Sequence, residues 1–362
     1  MNSFLSIITA LIIAVTVCGP SPSTACTGFY LQAKDGGVAY ARSNEFTADL
    51  KANIVVIPRG NSYNAQMPDG GTGLAWKNQY AMVGMNIFGL PYIHDGFNER
   101  GLQVGLFFFP DFAEYASYDK KHAKNSVAPF EFATWLLSNF ATVEEVKKHV
   151  KDIRIVPTVL KGLGISPPLH TFVVDSTGQS IVIEPINGEL VVHDNPVHVI
   201  TNSPTFDWHL TNLRQYINLS NHETKPIKLG AFPLEKLGSG SGMRGLPGDI
   251  TPPSRFIRAA YYANMIPEQD TVEQSLNSAM RLLGSFFITK GMVIENEKPS
   301  EEFVQWQIFT DLKNKRLYFN TYDNLNVRMV DMEKLKLDSG PFKMIQIREP
   351  QVFPDISSQI MN

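Results

Sequence analysis

The sequence predicts an α+β protein of four layers, αββα, with two stacked, mainly antiparallel sheets between layers of helices. Two observations predict it. Strand-like segments, a helix pair, more strands, a second helix pair and final strands follow one another along the chain, and no Gly/Ser linker divides the 362 residues into halves. Stacked sheets with helices outside are the layer arrangement that buries all of those apolar faces together.

The elements follow in order. Thr27–Ala33 reads as a strand, Lys34-Asp35-Gly36-Gly37 as its turn and Val38–Arg42 as the returning strand. Ala52–Arg59 is a third strand, closed by Pro58 and Gly60. Residues 61–74, rich in Gly, Asn, Pro and Asp, read as a loop. Tyr80–Asn86 and Leu102–Phe109 are strands, with a turn at Asn98-Glu99-Arg100-Gly101 between them. Phe130, Thr134, Leu137 and Phe140 recur at helical spacing, and Thr142 with Glu145 three residues on is a capping-box start for a second helix. His170–Val174, Ser180–Glu184, Leu190–His193 and His198–Thr201 read as strands. Residues 218–253 read as a long ordered loop, Arg255–Met265 and Val272–Leu283 as helices, and Gln305–Asp311 with Arg316–Tyr322 as a terminal hairpin.

Composition narrows the function classes. Hydrophobic residues make up 43% and charged residues 19%, which supports a buried core and argues against disorder. The net charge is −3 with no basic block, so a nucleic-acid partner is not expected. Two cysteines exclude a disulfide scaffold and a multi-cysteine zinc site. The eight histidines form no His-Glu-x-x-His pattern, and neither a metal nor another cofactor is expected. Gly238–Gly242 lacks the Gly-Lys-Ser/Thr of a phosphate loop and reads as a flexible loop.

Residues 1–25 read as a signal peptide. Phe4–Val17 is one apolar run, shorter than the roughly 20 residues of a membrane-spanning helix and within the length of a signal core. Gly19, Pro20 and Pro22 break it, and Ser23-Thr24-Ala25 supplies small residues before a cut after Ala25. No Lys or Arg precedes the run. This predicts a periplasmic or secreted protein with no stable membrane span, comprising a single domain over residues 26–362.

Such a cut leaves one cysteine, Cys26, as the first residue. Two fates are open to it. Lipidation would make an exported lipoprotein or binding protein, although Ser23 stands where a branched apolar residue is usual. Alternatively, Cys26 is a nucleophile with its own base, since a free α-amine titrates near neutrality and a peptide nitrogen does not. The second fate predicts an amidohydrolase switched on by cleavage.

Cys26-Thr27-Gly28, Ala41-Arg42-Ser43, Asn98-Glu99-Arg100-Gly101-Leu102, Thr201-Asn202-Ser203-Pro204-Thr205-Phe206-Asp207-Trp208-His209-Leu210, and Gly248-Asp249 with Pro253-Ser254-Arg255-Phe256 occur in that order. In these motifs the chain resembles the choloylglycine hydrolase family, which includes bile salt hydrolases and penicillin V acylases. The resemblance runs from Cys26 to about Tyr322 and implies the N-terminal nucleophile hydrolase form of the αββα fold. It implies hydrolysis of a linear amide in a small N-acyl substrate, and a homo-oligomer, often a tetramer. It further implies that Cys26 is nucleophile and base, that Arg42 favours its thiolate, that Asn202 donates to the oxyanion, and that Arg255 completes the charged shell.

Two positions depart from the family. The usual Asp is Glu45, and the second oxyanion position, often Asn or Tyr, is Phe108, which has only a backbone N–H to offer. Phe107, Phe108 and Phe88 are candidates for binding the acyl part; aromatic strand residues are also common core. Arg42 could be a surface cation, Asn202 a turn residue, Arg255 a helix start and Glu45 an exposed carboxylate. Asp207 and His209 suggest a relay pair, but no serine motif accompanies them and they read as structural polar residues. Within the family, the Trp208–Leu213 segment resembles bile salt hydrolases most, which implies bile salts as substrate. The Glu45 and Phe108 changes and the signal peptide resemble instead the penicillin V acylase-like or acyl-homoserine-lactone-cleaving relatives of Gram-negative bacteria, which implies those substrates as the alternative.

Overall fold

A computed structural model describes residues 25–294 and 301–360. The segment expected to be cleaved, residues 1–25, lies outside the described residues apart from Ala25. The first hairpin sets the frame: Thr27–Gln32 and Val38–Phe46 pair antiparallel, with Thr27 opposite Ser43 and Gly28 opposite Arg42. Every side chain of Val38–Phe46 is buried, because one face meets the second sheet and the other meets helices. Side chains alternate across a strand, so Arg42 and Asn44 share one face and Ser43 and Glu45 the other.

This hairpin lies within one antiparallel sheet. Its order is Val199–Ile200, Thr27–Gln32, Val38–Phe46, Glu301–Asp311, Arg316–Thr321 and Asn324–Asp331, with Val293–Ile294 pairing Glu301–Asp311. The second sheet, also antiparallel, runs Glu189–Asp194, Ser180–Ile186, Leu169–Val174, Gln103–Phe108, Asp95–Asn98, Met82–Asn86, Asn53–Ile57 and Lys343–Gln346.

Aromatic rings fill the space between the sheets. Tyr30 and Tyr40 of the first sheet lie 6.3 Å and 5.9 Å from Phe172 of the second, centroid to centroid. At Gly28 the approach is closer still, since a Cβ there would sit 2.6 Å from Phe107 Cζ and 3.2 Å from Ile200 Cγ2. Gly28→Ala should therefore destabilise the protein by about 1–3 kcal/mol, the usual cost of overpacking a filled core. Urea unfolding would show it, and an unchanged midpoint would mean that Phe107 can swing away.

Among the described residues five α-helices complete the layers: α1 (Phe132–Asn139), α2 (Val143–His149), α3 (Phe206–Leu213), α4 (Pro252–Met265) and α5 (Val272–Gly284). Helices α4 and α5 pack on the first sheet, and α1 packs on the second. The caps are local. Thr142 Oγ1 accepts from the Glu145 N–H at the start of α2, while the Glu145 carboxylate takes the Ala141 N–H instead of closing the box on Thr142. Thr271 and Gln274 make the reciprocal capping box of α5.

Several elements differ from the sequence expectation. Residues 61–74 are not a loop: Ser62–Gln66 and Thr72–Lys77 form a hairpin in which Tyr63 stacks on Trp76 at 5.0 Å. Its inward residues Tyr63 and Ala65 alternate with exposed Ser62, Asn64 and Gln66, so the apolar signal is thin. The Asn98–Gly101 turn joins Gln103–Phe108 to a separate strand, Asp95–Asn98, and not to Tyr80–Asn86. Helix α3 starts in the Thr201–Leu210 motif and ends at Leu213, a segment read only as a motif, although Phe206, Leu210 and Leu213 recur at helical spacing. The 218–253 region contains a small exposed hairpin, Ile227–Leu229 with Phe232–Leu234. The Gln305–Tyr322 hairpin is not terminal, because Asn324–Asp331 extends the first sheet and Lys343–Gln346 the second. Among the described residues, no helix is long and apolar enough to cross a membrane.

Candidate active site

Cys26 stands at the start of the first strand and is 3% exposed. Its peptide N–H donates to Asn202 Oδ1 at 2.7 Å. Charged groups reach it from both faces of the sheet. Arg42 comes from the face that looks into the sandwich, and Arg255 comes from α4 on the helix side.

Arg42 is fully buried and fixed from several directions. Nη1 pairs with Asp95 Oδ2 at 2.8 Å. Asp95 also accepts from Tyr40 Oη at 3.0 Å and Gln103 Nε2 at 2.6 Å. Burial pushes the Asp95 carboxyl up to about 6, against the pull of Arg42 and the two other donors. The Arg42 guanidinium lies 4.4 Å from the centroid of the Phe107 ring. Nη2 lies 2.7 Å from the Leu106 carbonyl, 2.8 Å from Asn44 Oδ1 and 3.6 Å from Cys26 Sγ. Its two hydrogens suit the two short contacts, so the sulfur feels Arg42 chiefly as a charge. His94 Nε2 is 3.3 Å from the same Nη2. Arginine only donates, so Nε2 is the bare nitrogen; burial and then the Arg42 charge hold His94 well below its ordinary value, hence neutral.

Burial also pushes the Cys26 thiol up. Arg42 pulls it down, Glu45 raises it, and the burial effect wins. Arg42 thus does not by itself make a thiolate while the site is closed and Cys26 is peptide-bonded.

Arg255 binds the Cys26 carbonyl through Nη1, Thr27 Oγ1 through the same nitrogen at 2.8 Å, and Asn202 Oδ1 through Nη2 at 2.9 Å. Its Nε donates to the Ile250 carbonyl at 2.8 Å. Asn202 is therefore oriented: its oxygen faces Cys26 and Arg255, and Nδ2 donates to the Phe108 carbonyl at 2.7 Å. One N–H of that amide remains beyond the Phe108 bond. His209 Nε2 lies 2.9 Å from the Asn202 carbonyl and its ring stacks on Phe256 at 4.5 Å. Asp207 is exposed and belongs to no such pair.

Glu45 is buried, and Ser43 on the same strand face favours its charged form. Burial pushes its carboxyl up to about 8, against the attraction of Arg255. When ionised, it raises the Cys26 thiol and favours the charged form of Arg255.

A small cavity of about 30 Å³ opens beside Cys26, Arg42, Asn44, Glu45 and His94. The rest of its wall is apolar, with Phe46, Leu50, Ile87, Phe108, Phe130, Leu163, Pro167 and Leu169. Phe108 is thus on the wall. Phe107 is not, because its ring lies between Arg42 and His170 inside the sandwich. Phe88 is half-buried and also off the wall; its ring packs on Gly162, next to the wall residue Leu163.

The structure brings Cys26, Arg42, Glu45, Asn202, Arg255 and Phe108 together. It adds three residues that sequence reasoning passed over: Asp95, His94 and Asn44. Only Asn44 had a signal, its place two residues beyond Arg42 on the same strand face.

The chain has relatives among known proteins. The family described as linear amide C–N hydrolases, choloylglycine hydrolase family, matches residues 26–344. The bile salt hydrolase/transferase of Clostridium perfringens is 35% identical over 320 residues, covering 88% of this chain and 95% of that protein. A crystal structure of a mutant conjugated bile acid hydrolase from Clostridium perfringens superposes with a TM-score of 0.83 at 32% identity, covering 92% of this chain and all of that one. The penicillin V acylase of Agrobacterium tumefaciens superposes at 0.72 with 26% identity, covering 89% and 91%. The family match spans the first hairpin and the Asn202 and Arg255 segments: the chain belongs to the choloylglycine hydrolase family and is a hydrolase of linear, non-peptide C–N bonds.

Proposed function

We propose that this chain is exported, cut after Ala25, and acts through residues 26–362 as a single N-terminal-cysteine amidohydrolase on conjugated bile salts. The observation that carries the reading is the cavity: the Cys26 thiol opens on it beside Arg42, Asn44, Glu45 and His94, Arg255 holds the Cys26 carbonyl, and the rest of the wall is apolar and suited to a bulky acyl part. The similarity to the Clostridium perfringens bile salt hydrolase/transferase favours a bile salt over other acyl amides. The wall side chains must part for the acyl group, since 30 Å³ is about the volume of one water.

In this mechanism the Cys26 thiol passes its proton to the freed α-amine and attacks the amide carbonyl. The remaining N–H of Asn202 donates to the developing oxyanion. The amine returns the proton to the leaving nitrogen, and water then releases the acid from the thioester. Glu45 and Arg255 hold the charge balance around the amine. The family resemblance extends the proposal to a homotetramer in the periplasm or outside the cell. A second reading, penicillin V or an acyl-homoserine lactone as substrate, is favoured by Glu45, Phe108 and the likeness to the Agrobacterium acylase.

The test is amine release by the chain beginning at Cys26, from glycocholate, taurocholate, penicillin V and a long-chain acyl-homoserine lactone, with Cys26→Ala as control. Bile-salt cleavage lost in the control supports the proposal. Cleavage of penicillin V or the lactone alone moves the assignment to the second reading. No cleavage by a folded protein, with activity gained in Glu45→Asp, would mark a homologue disabled by its longer carboxylate.

A further inference from the structure

We infer that Asn44 is a further side-chain donor to the substrate oxyanion, at a site where Phe108 brings only its backbone N–H. The inference rests on the amidohydrolase reading above. A tetrahedral intermediate at Cys26 needs donors where the carbonyl oxygen becomes an oxyanion, and Phe108 brings no side-chain donor.

Three observations point to Asn44. Its Nδ2 is buried and has no hydrogen-bond partner among the described residues. A buried amide donor left without a partner is costly unless something else pairs with it. Second, its orientation is fixed. Arg42 Nη2 donates to Oδ1 at 2.8 Å, and since arginine cannot accept, Nδ2 must face away from Arg42. Third, it is next to the nucleophile. Thr27 pairs with Ser43 and Gly28 with Arg42; carried one residue further, that register sets Cys26 opposite Asn44, where Cβ atoms are about 4.5–5.5 Å apart. Both residues line the same cavity.

The step balances simply. The Sγ–C bond forms and the carbonyl π pair moves to oxygen. That oxygen lies against Nδ2–H of Asn44 on one side and Nδ2–H of Asn202 on the other. When the oxygen pair returns, the C–N bond breaks and the nitrogen leaves with the proton carried by the α-amine. Asn44 exchanges no proton; its dipole is in place before the charge appears.

Asn44→Leu removes the donor at similar volume. It also takes an acceptor from Arg42, so the test must separate the oxyanion from the thiol. The chain beginning at Cys26 would be acylated with a p-nitrophenyl ester, whose burst passes through an oxyanion whether or not any amide is cleaved. It would be alkylated with iodoacetamide, which needs the thiolate but forms no oxyanion. The expected result is a burst slower by about 10²–10³-fold, the usual loss for one oxyanion donor, with alkylation within threefold of the parent and an unchanged melting temperature. Adding Phe108→Asn to Asn44→Leu should recover at least tenfold of the burst. An unchanged burst, or burst and alkylation slowed alike, would overturn the assignment. Failure of the parent on every amide, with Asn44→Leu still slowing its ester burst, would sink the amidohydrolase reading and leave Asn44 as the donor.

Discussion

A chain in which Cys26 remains peptide-bonded to Ala25 should be nearly as inactive as Cys26→Ala. In the structure the Cys26 nitrogen has one hydrogen, given to Asn202 Oδ1 at 2.7 Å, and as an amide it has no basic lone pair. Ala25 is buried beside Ile288 and Val304, so the preceding residue also fills the space next to that nitrogen. Cleavage changes both conditions together. The nitrogen becomes an amine that titrates close to neutrality and can take the thiol proton, while Asn202 still holds it in place. Loss of a general base costs on the order of 10²–10⁴-fold. The comparison is amine release by two preparations differing only in Ala25, with iodoacetamide labelling to confirm that both thiols are reachable. Equal hydrolysis rates would show that another group takes the proton. His94, neutral and on the cavity wall, would then be the first to examine.

What the sequence reveals of this site follows from how each residue is fixed. Cys26 is legible because the cut expected after Ala25 would make it the first residue, and Arg42, Asn202 and Arg255 stand in long motifs. Asp95 is not legible: it sits in a four-residue strand, Asp-Gly-Phe-Asn, whose reason to exist is Arg42 more than fifty residues earlier. His94 and Asn44 are likewise defined by one atom, Arg42 Nη2, which both side chains approach beside the Cys26 thiol. Phe107 misled because an aromatic run looks the same whether it lines a pocket or supports a guanidinium. The fold shows the same division. The hairpins with strong alternation and tight turns were readable, and so were α4 and α5. The Ser62–Gln66 strand was not, since only Tyr63 and Ala65 face inward.

Glu45→Gln should remove a pH-dependent loss of stability. In the chain with Cys26 peptide-bonded, the Glu45 carboxyl is pushed up to about 8 by burial from an ordinary value of 4.5. The folded state therefore keeps a proton that the unfolded chain has already lost between those two pH values. Stability must fall as pH rises through that window, because the folded state binds more protons there. One proton held across one pH unit is worth about 1.4 kcal/mol, so the loss attributable to Glu45 is on the order of 4 kcal/mol by pH 8. Below pH 4.5 both states are protonated, and Glu45 then contributes little to the difference. Glutamine keeps the shape and cannot ionise, so parent and variant should be similar near pH 4.5 and diverge in favour of the variant towards pH 8. Urea unfolding at several pH values measures this directly. The chain beginning at Cys26 should behave differently. A positive α-ammonium beside Glu45 holds the carboxylate ionised, as an opposite charge does, and the divergence should shrink. The same divergence in both chains would place Glu45 out of reach of the amine and remove it from the site's charge balance. A smaller divergence in the cleaved chain would tie the buried carboxylate to the nitrogen that processing releases.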